Sequence, residues 1–435
     1  MSWWEKGMLR SLRSYNYRIW AAGTLVSNVG IWIQRTAQDW LVLTQLTHHN
    51  ATAVGVVMGL QFGPQLVLLP WTGFASDHFD RRKLLITTRA AMGGLALVLG
   101  ILTVTGFVRL WQVYVFALLS GCVSAFDSPA NQTFVSDLVG DDDIANAVAL
   151  NSMSFNAARM IGPATAGVLI SAVGTGWAFM INAASYIAVI CSLTFLRRGE
   201  LCRNSRAIRS RGSFLEGFRY IQKRPDLKVV LVMLFLIGTF GLNFPIFIST
   251  MCVTAFHAGA SQYGFLMAIM AIGTVTGGLL AAGRKKPDFL LVLASAAIFG
   301  GSLALASIMP SYWLFGLMLV TIGVSGLTFT NSTNSLTLLS TEPSMRGRVM
   351  ALRLAVAVGG MPLGAPVVGW VADRFGPRWA LGVGAVSALA AVLVAIHYLV
   401  KYRYLRVGLK AGRLWFQIDK DDLGADSSQS KQRAI

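Results

Sequence analysis

Acidic residues are scarce in this chain: 19 Asp and Glu stand against 37 Lys and Arg, and charged residues of both signs make up only 13% of it. A soluble globular protein carries roughly 25%. A polar shell that thin cannot cover 435 residues that are 54% hydrophobic, so a soluble fold is excluded. Histidine and cysteine are few as well. His48, His49, His78, His257 and His397 form no HExxH or other metal-ligand spacing, and Cys122, Cys191, Cys202 and Cys252 form no CxxC pair. Neither a metal centre nor a disulfide framework is indicated. The chain also lacks any Gly-Lys pair, hence a GxxxxGK[ST] phosphate loop, and any GxSxG elbow. ATP-driven pumping and a serine-type enzyme are therefore unsupported, and no cofactor is expected.

What is present is apolar sequence in long runs. A helix needs about 20 residues to cross roughly 30 Å of hydrocarbon. Such runs recur twelve times, at about 18–45, 52–75, 84–107, 110–130, 146–172, 175–196, 228–255, 261–283, 288–309, 311–335, 348–372 and 377–400. The first run is too long for the core of a secretory signal and lacks a small-residue cleavage site, so it is expected to stay as the first span.

The basic residues orient these spans. With the N-terminus inside, 32 of the 37 fall on the inner side, Arg109, Arg374 and Arg378 fall outside, and Arg35 and Arg159 lie within spans. This positive-inside bias puts both termini in the cytoplasm and makes the span count even. It also accounts for the net charge of +18. Nucleic-acid binding, the rival explanation, would gather that charge on one soluble face instead of dividing it among short loops.

The chain repeats itself. A shift of 202 superposes Gly162, Gly167, Gly174, Trp177 and Ala178 on Gly364, Gly369, Gly376, Trp379 and Ala380, and a shift of 209 superposes Gly55 and Met58 on Gly264 and Met267. The matches keep helix order, so the two six-span halves run parallel. That is an architecture of alternating-access transport, with a central cavity between the halves. The expected organisation is an N-terminal arm (1–17), a first half (18–196), a basic linker (197–227), a second half (228–400) and a tail (401–435). In the linker, Ser213-Phe214-Leu215-Glu216 has capping-box spacing and opens a short amphipathic helix with Phe214, Phe218 and Ile221 apolar. Arg219, Lys223 and Arg224 are expected to face lipid phosphate on the inner leaflet. The tail segment Tyr402 to Phe416 has similar character.

Between spans two and three, Gly73-Phe-Ala-Ser-Asp77-His-Phe-Asp-Arg81-Arg82-Lys-Leu-Leu85 resembles the signature of the major facilitator superfamily. With twelve spans in two parallel halves, the resemblance covers nearly the whole chain and implies an all-α integral membrane fold. It implies that this loop latches the halves together, with Asp77 facing the eleventh helix and Arg81 facing an acid on the fourth. Asp127 matches that partner, so an Asp77, Arg81 and Asp127 network is expected, with Gly73 for close approach and Arg82 completing the basic pair. His78 and Asp80 depart from the family pattern, which usually has arginine and glycine there. Asn16-Tyr-Arg-Ile-Trp20, Gly30-Ile-Trp-Ile-Gln34, Asp127-Ser-Pro129-Ala-Asn-Gln132, Asn146-Ala-Val-Ala-Leu-Asn151, Arg159-Met-Ile-Gly162-Pro163 and Glu216-Gly-Phe-Arg-Tyr220 look like the enterobactin exporter branch, which also resembles macrolide efflux proteins. Gly162-Pro163 with Gly167 resembles the fifth-helix packing motif of superfamily exporters. The resemblance favours export over uptake.

Ionisable groups inside a bilayer are costly unless paired or hydrated. Asn28, Trp32, Arg35 and Asp39 share one face of the first span, flanked by Gln34 and Gln38. Asp39 is the one acid placed well inside a span. It is either the proton carrier or a fixed partner of Arg35, one turn earlier. Arg159 either pairs with Asp127 or binds an anionic substrate group. Gln61 and Gln65 around Pro64, Asn156, Asn243 beside Pro245, and Thr328, Asn331 and Asn334 are the other cavity candidates, the alternative for each, and the better one for any taken singly, being a hydrogen bond between helices. Met267 and Met270 offer an adaptable surface for amphipathic ligands.

The expectation is a monomeric, proton-coupled exporter of small amphipathic molecules, siderophore-like or macrolide-like, in a bacterial inner membrane, in contact with lipid and not with nucleic acid. The alternatives are an uptake symporter of a small organic solute and a membrane sensor or scaffold.

Overall fold

The computed structural model describes residues 9–68, 71–72, 79–201, 214–282, 288–402, 405–410 and 413–418. Helices take up almost all of them. In chain order they are α1 (Tyr15–Trp40), α2 (Ala51–Val67), α3 (Arg81–Val104), α4 (Leu110–Asp137), α5 (Ile144–Val173), α6 (Thr175–Thr194), α7 (Phe214–Lys223), α8 (Pro225–Leu236), α9 (Phe244–Thr250), α10 (Ala260–Ala282), α11 (Phe289–Ile308), α12 (Tyr312–Leu339), α13 (Arg346–Phe375) and α14 (Pro377–Lys401). Short polar side chains start several of them: Ser14, Asn50, Asp80 and Ser311 accept from backbone N–H groups three residues on, satisfying donors the helix leaves open.

Nine helical segments of the described residues are long and apolar enough to cross a membrane; one runs from Pro225 to Ala255 through α8, a π turn, α9 and a second π turn. The break inside it follows from Gly238, Gly241 and Pro245, since proline lacks the N–H that would continue the hydrogen-bond ladder. α1, α2 and α5 are not among the nine. α2 is short at 17 residues, while α1 (26 residues) and α5 (30 residues) have the length but carry polar side chains through their middles. These three helices build the site described below.

The sequence repeat is a structural repeat. Gly174 and Gly376 end α5 and α13 with φ of 89° and 99°, a left-handed conformation that glycine adopts at little cost, and each opens the next helix. Across the molecule α5 packs on α10, and α13 packs on α2. Gly264 of α10 lies against the Pro163 carbonyl just as Gly55 of α2 lies against the Ala365 carbonyl, and Gly167 meets Ala260 as Gly369 meets Ala51. A Cβ on Gly167 would stand 2.7 Å from the Ala260 oxygen, so these crossings need glycine for backbone-to-backbone approach. Both crossings lie toward the end of the bundle that holds the α1–α2, α5–α6 and α13–α14 turns, hereafter the far end.

At the near end, where the described chain begins, side chains tie the first half together. Tyr17 donates to the Ala147 carbonyl at 2.9 Å, Ser11 bonds Asn146, and Asn16 exchanges two bonds with the backbone of Arg197. α7 forms as expected and docks on α13: Ile221 is buried, Gly217 abuts Leu352 and Arg348, and Glu216 pairs with Arg348 at 3.0 Å. Phe218, Arg219 and Lys223 remain exposed. Arg224 departs from the expectation of facing lipid. It donates to Asp226 and to the Ser340 carbonyl, and its hydrogen bonds to the Asp226 carboxylate raise its pKa from the ordinary arginine value. Ser213 and Cys202 lie outside the described residues. In the tail, Leu405–Lys410 and Arg413–Ile418 pair as antiparallel strands, so this segment is not the amphipathic helix expected over Tyr402 to Phe416 and is the one departure from an all-α fold among the described residues.

Candidate functional site

α1 is gripped by α6 on one face and by α5 on another. Gly23 and Gly30 bring Ser192 and Ser185 of α6 close, and Gly162 of α5 receives Trp32. This fixes which α1 side chains turn toward the middle of the bundle. Trp32 stands edge-on to Phe155 of α5, with centroids 5.9 Å apart. The Arg35 guanidinium lies 5.3 Å from the Trp32 ring centroid and 5.7 Å from that of Phe62 on α2. The Arg159 guanidinium of α5 lies 5.5 Å from the same Trp32 centroid. One indole thus carries two arginines where α1, α2 and α5 meet. Cations over aromatic faces are attracted by the ring quadrupole.

Asp39 continues the stripe one turn toward the far end. It is buried, and its carboxylate accepts from the Tyr263 hydroxyl at 3.5 Å, the long limit of a hydrogen bond. Tyr263 belongs to α10 in the second half and stacks on Trp40 with centroids 5.8 Å apart. The Arg35–Asp39 ion pair that their spacing allowed does not form at contact distance: Arg35 turns to the aromatic rings and Asp39 to the other half.

Asp127 is claimed by a different arginine than the sequence suggested. Arg89 of α3 reaches it at 2.7 Å, and the Thr88 hydroxyl donates to it at 2.8 Å. Arg159 therefore does not pair with Asp127, and neither does Arg81. Arg81 bonds both oxygens of Asp137 at 2.8 and 3.0 Å, and Arg82 donates to the Leu193 and Thr194 carbonyls at the end of α6, where a cation complements the helix dipole. The basic pair braces α3 against α4 and α6, all within the first half. Gly73 and Asp77 lie outside the described residues. Arg89 and Arg353, counted from sequence with the inner loops, are buried inside α3 and α13.

The remaining candidates divide. Asn28, Gln61 and Gln65 are half-buried on α1 and α2, with Pro64 buried between the glutamines. Asn156 is half-buried and donates back to Ser152 of its own helix. Gln34 turns to the other flank of α1: it accepts from Asn182 of α6. Asn243 is wholly buried in the helix break and donates to the Thr239 carbonyl at 2.7 Å, so it stabilises that break. Thr328 is buried, and Asn331 and Asn334 are half-buried on α12. Gly162, Pro163 and Gly167 hold α5 against α1 and α10. Sequence reasoning passed over Phe62, Phe155 and Tyr263, aromatics in apolar helices with no distinguishing pattern, and Asp373, whose carboxylate bonds Ala51 and Thr52 at the start of α2.

The family described as transmembrane secretion effector matches residues 7–406. The staphyloferrin A transporter of Staphylococcus aureus is 24% identical over 372 residues, covering 84% of this chain and 92% of that protein. The enterobactin exporter EntS of Escherichia coli K12 is 24% identical over 374 residues, covering 84% and 88%. Among solved structures, a bacterial homologue of the human lysosomal transporter Spinster, inward-facing and occupied, superposes with a TM-score of 0.69 at 14% identity, covering 90% of this chain and 97% of that one. The nucleoside transporter NupG gives the same TM-score and identity over 88% and 99%. The chain is a membrane-embedded member of the transmembrane secretion effector family, within the major facilitator superfamily of transporters.

Proposed function

We propose that this chain is a monomeric, proton-coupled exporter of small amphipathic molecules, siderophore-like or macrolide-like, with twelve spans and both termini in the cytoplasm of a bacterium. The observation that carries the reading is the meeting of α1, α2 and α5, where half-buried Asn28, Trp32, Arg35, Gln61, Gln65 and Arg159 gather and which we read as the lining of a cleft. Polar and aromatic side chains gather there on the helices whose apolar character is interrupted, and such groups are kept within a bilayer at a cost that transport explains. Support also comes from the two siderophore-transporting relatives and from the shared halves. With the termini inside, the far end is external, and its glycine crossings and the Asp373 contact close the path on that side. Substrate would then enter from the cytoplasm. Asp39, beside the inter-half contact with Tyr263, is the proposed proton carrier, since its charge state acts directly on how the halves meet.

The test is accumulation of siderophores, macrolides and lipophilic dyes in an efflux-deficient host, comparing the native chain with Asp39→Asn at matched expression. Lower accumulation with the native chain alone supports export and the role of Asp39. Lower accumulation with both keeps export and removes Asp39 as carrier. Higher accumulation of a compound with the native chain would replace export by uptake.

A further inference from the structure

We propose that Arg35 and Arg159, gathered on Trp32, form a two-arginine anion subsite that selects substrates carrying two acidic groups, carboxylates or comparable oxyanions, on a flat apolar body. The inference rests on reading the cleft as the substrate path.

Three observations converge on it. First, both guanidinium carbons lie within 5.5 Å of one ring centroid, yet among the described residues neither arginine has a carboxylate at ion-pair distance. Two arginines of α3 do have a counter-charge, Arg89 in Asp127 at 2.7 Å and Arg81 in Asp137 at 2.8 Å, and the buried Arg353 of α13 donates to the Thr330 carbonyl and the Thr333 hydroxyl. Two cations over one indole repel each other in a medium of low dielectric, and aromatic faces do not neutralise them. An anion from outside the protein would. Second, the Trp32 indole Nε1 is buried and has no hydrogen-bond partner. A buried donor without an acceptor carries a desolvation penalty that a ligand oxygen would relieve. Third, the nearest acid on the stripe, Asp39, is turned away to Tyr263. The site therefore presents two cations and an open indole donor with no carboxylate at ion-pair distance among the described residues, flanked by the rings of Phe62 and Phe155. Guanidinium groups suit oxyanions because their planar fork donates two parallel bonds.

The experiment uses two dyes that share a ring system and differ in charge, the fluorescein dianion and the rhodamine 6G cation, with equilibrium binding to the full chain in lipid nanodiscs followed by anisotropy. Native protein is expected to bind fluorescein more tightly than rhodamine 6G. Arg35→Gln with Arg159→Gln should weaken fluorescein at least tenfold and leave rhodamine 6G unchanged or tighter, which also reports an intact cleft. Arg35→Lys with Arg159→Lys should restore part of the fluorescein affinity, since charge returns without the fork. No preference for fluorescein in native protein, or full retention of that preference in the glutamine variant, overturns the subsite. If the glutamine variant loses both dyes, the lysine variant decides: recovery of fluorescein supports the subsite and failure to recover overturns it. The broader reading fails separately. Selective fluorescein binding with no export of any compound would sustain the subsite and remove the exporter, whereas export of cationic and neutral compounds with no preference for anions would do the reverse.

Discussion

Asp373, on the last turns of α13, holds Thr52, on the first turn of α2, across the boundary between the halves. One carboxylate oxygen accepts from the Ala51 N–H at 2.6 Å, and the other accepts from the Thr52 N–H at 2.8 Å and from the Thr52 hydroxyl. A carboxylate at a helix N-terminus satisfies open donors and meets the positive end of the dipole. A shift of 202 carries Ser171 onto Asp373 and a shift of 209 carries Thr52 onto Ser261. Ser171 and Ser261 hydrogen-bond at 2.7 Å. The repeat thus clasps its far end twice, once with a charge and once without.

That difference sets the first prediction. Asp373→Ala should favour the state open at the far end, by roughly five- to tenfold in the ratio of the two states for a charge-assisted contact that is partly solvent-exposed. Ser171→Ala should shift it by less than about twofold. The readout is maleimide labelling, from the far side, of a cysteine replacing Met58 in a chain without other cysteines. Equal labelling rates for Asp373→Ala and the parent would remove the clasp.

The Arg89–Asp127 pair is buried on both sides, with 5% and 9% of the side chains exposed. Removing one partner leaves a charge inside the bundle, so Asp127→Ala should destabilise the protein by about 3–5 kcal/mol. Arg89→Met combined with Asp127→Leu should recover much of that loss, because apolar side chains of similar volume need no counter-charge. Thermal unfolding in detergent checks this. A double variant as unstable as the sum of the two single ones would show that the pair is not a unit.

Arg81 offers a sharper discrimination between spacing and geometry. The described contacts couple it to Asp137, whose side chain is 15% exposed against 23% for Arg81. A double-mutant cycle on Arg81→Ala and Asp137→Ala should give a coupling near 1 kcal/mol, the upper range for pairs of this exposure. The cycle of Arg81 with Asp127 should give close to zero. Arg81→Ala should leave substrate affinity nearly intact, since its contact with Asp137 lies within the first half and away from Trp32. Reversed couplings would restore the network expected from the signature.

How far the sequence reached follows from what each pattern encodes. Hydropathy marked the spans because lipid demands apolar length, and it weakened at α1 and α5, which carry Trp32, Arg35 and Arg159. The face shared by Trp32, Arg35 and Asp39 was legible because spacings of three and four fix a helical face. Partner choice was not. Asp127 had Arg81 and Arg89 within reach on α3, two turns apart, and only the depth at which α3 and α4 pack decides for Arg89. Gln34 sits beside Arg35 in sequence yet points to Asn182, because Gly30 lets α6 approach that flank. Tyr263 became visible only when α10 was brought against α1, a contact between halves that no local pattern carries.

The glycines of the two crossings yield the last prediction. Gly55 and Gly264 occupy equivalent places in the repeat, and a Cβ on either would collide with a backbone carbonyl, of Ala365 or of Pro163. Backbone cannot yield as a side-chain tip does, so Gly55→Val and Gly264→Val should each prevent the far end from closing. The obstruction is local to the crossings, and helices that part there relieve it, so folding is expected to survive in a form open at the far end. Labelling of a far-end cysteine should rise for both variants, and export should fall because the cleft no longer opens to the cytoplasmic side. If the two variants moved labelling in opposite directions, the equivalence of α2–α13 and α5–α10 in the closing motion would be wrong even though their contacts match.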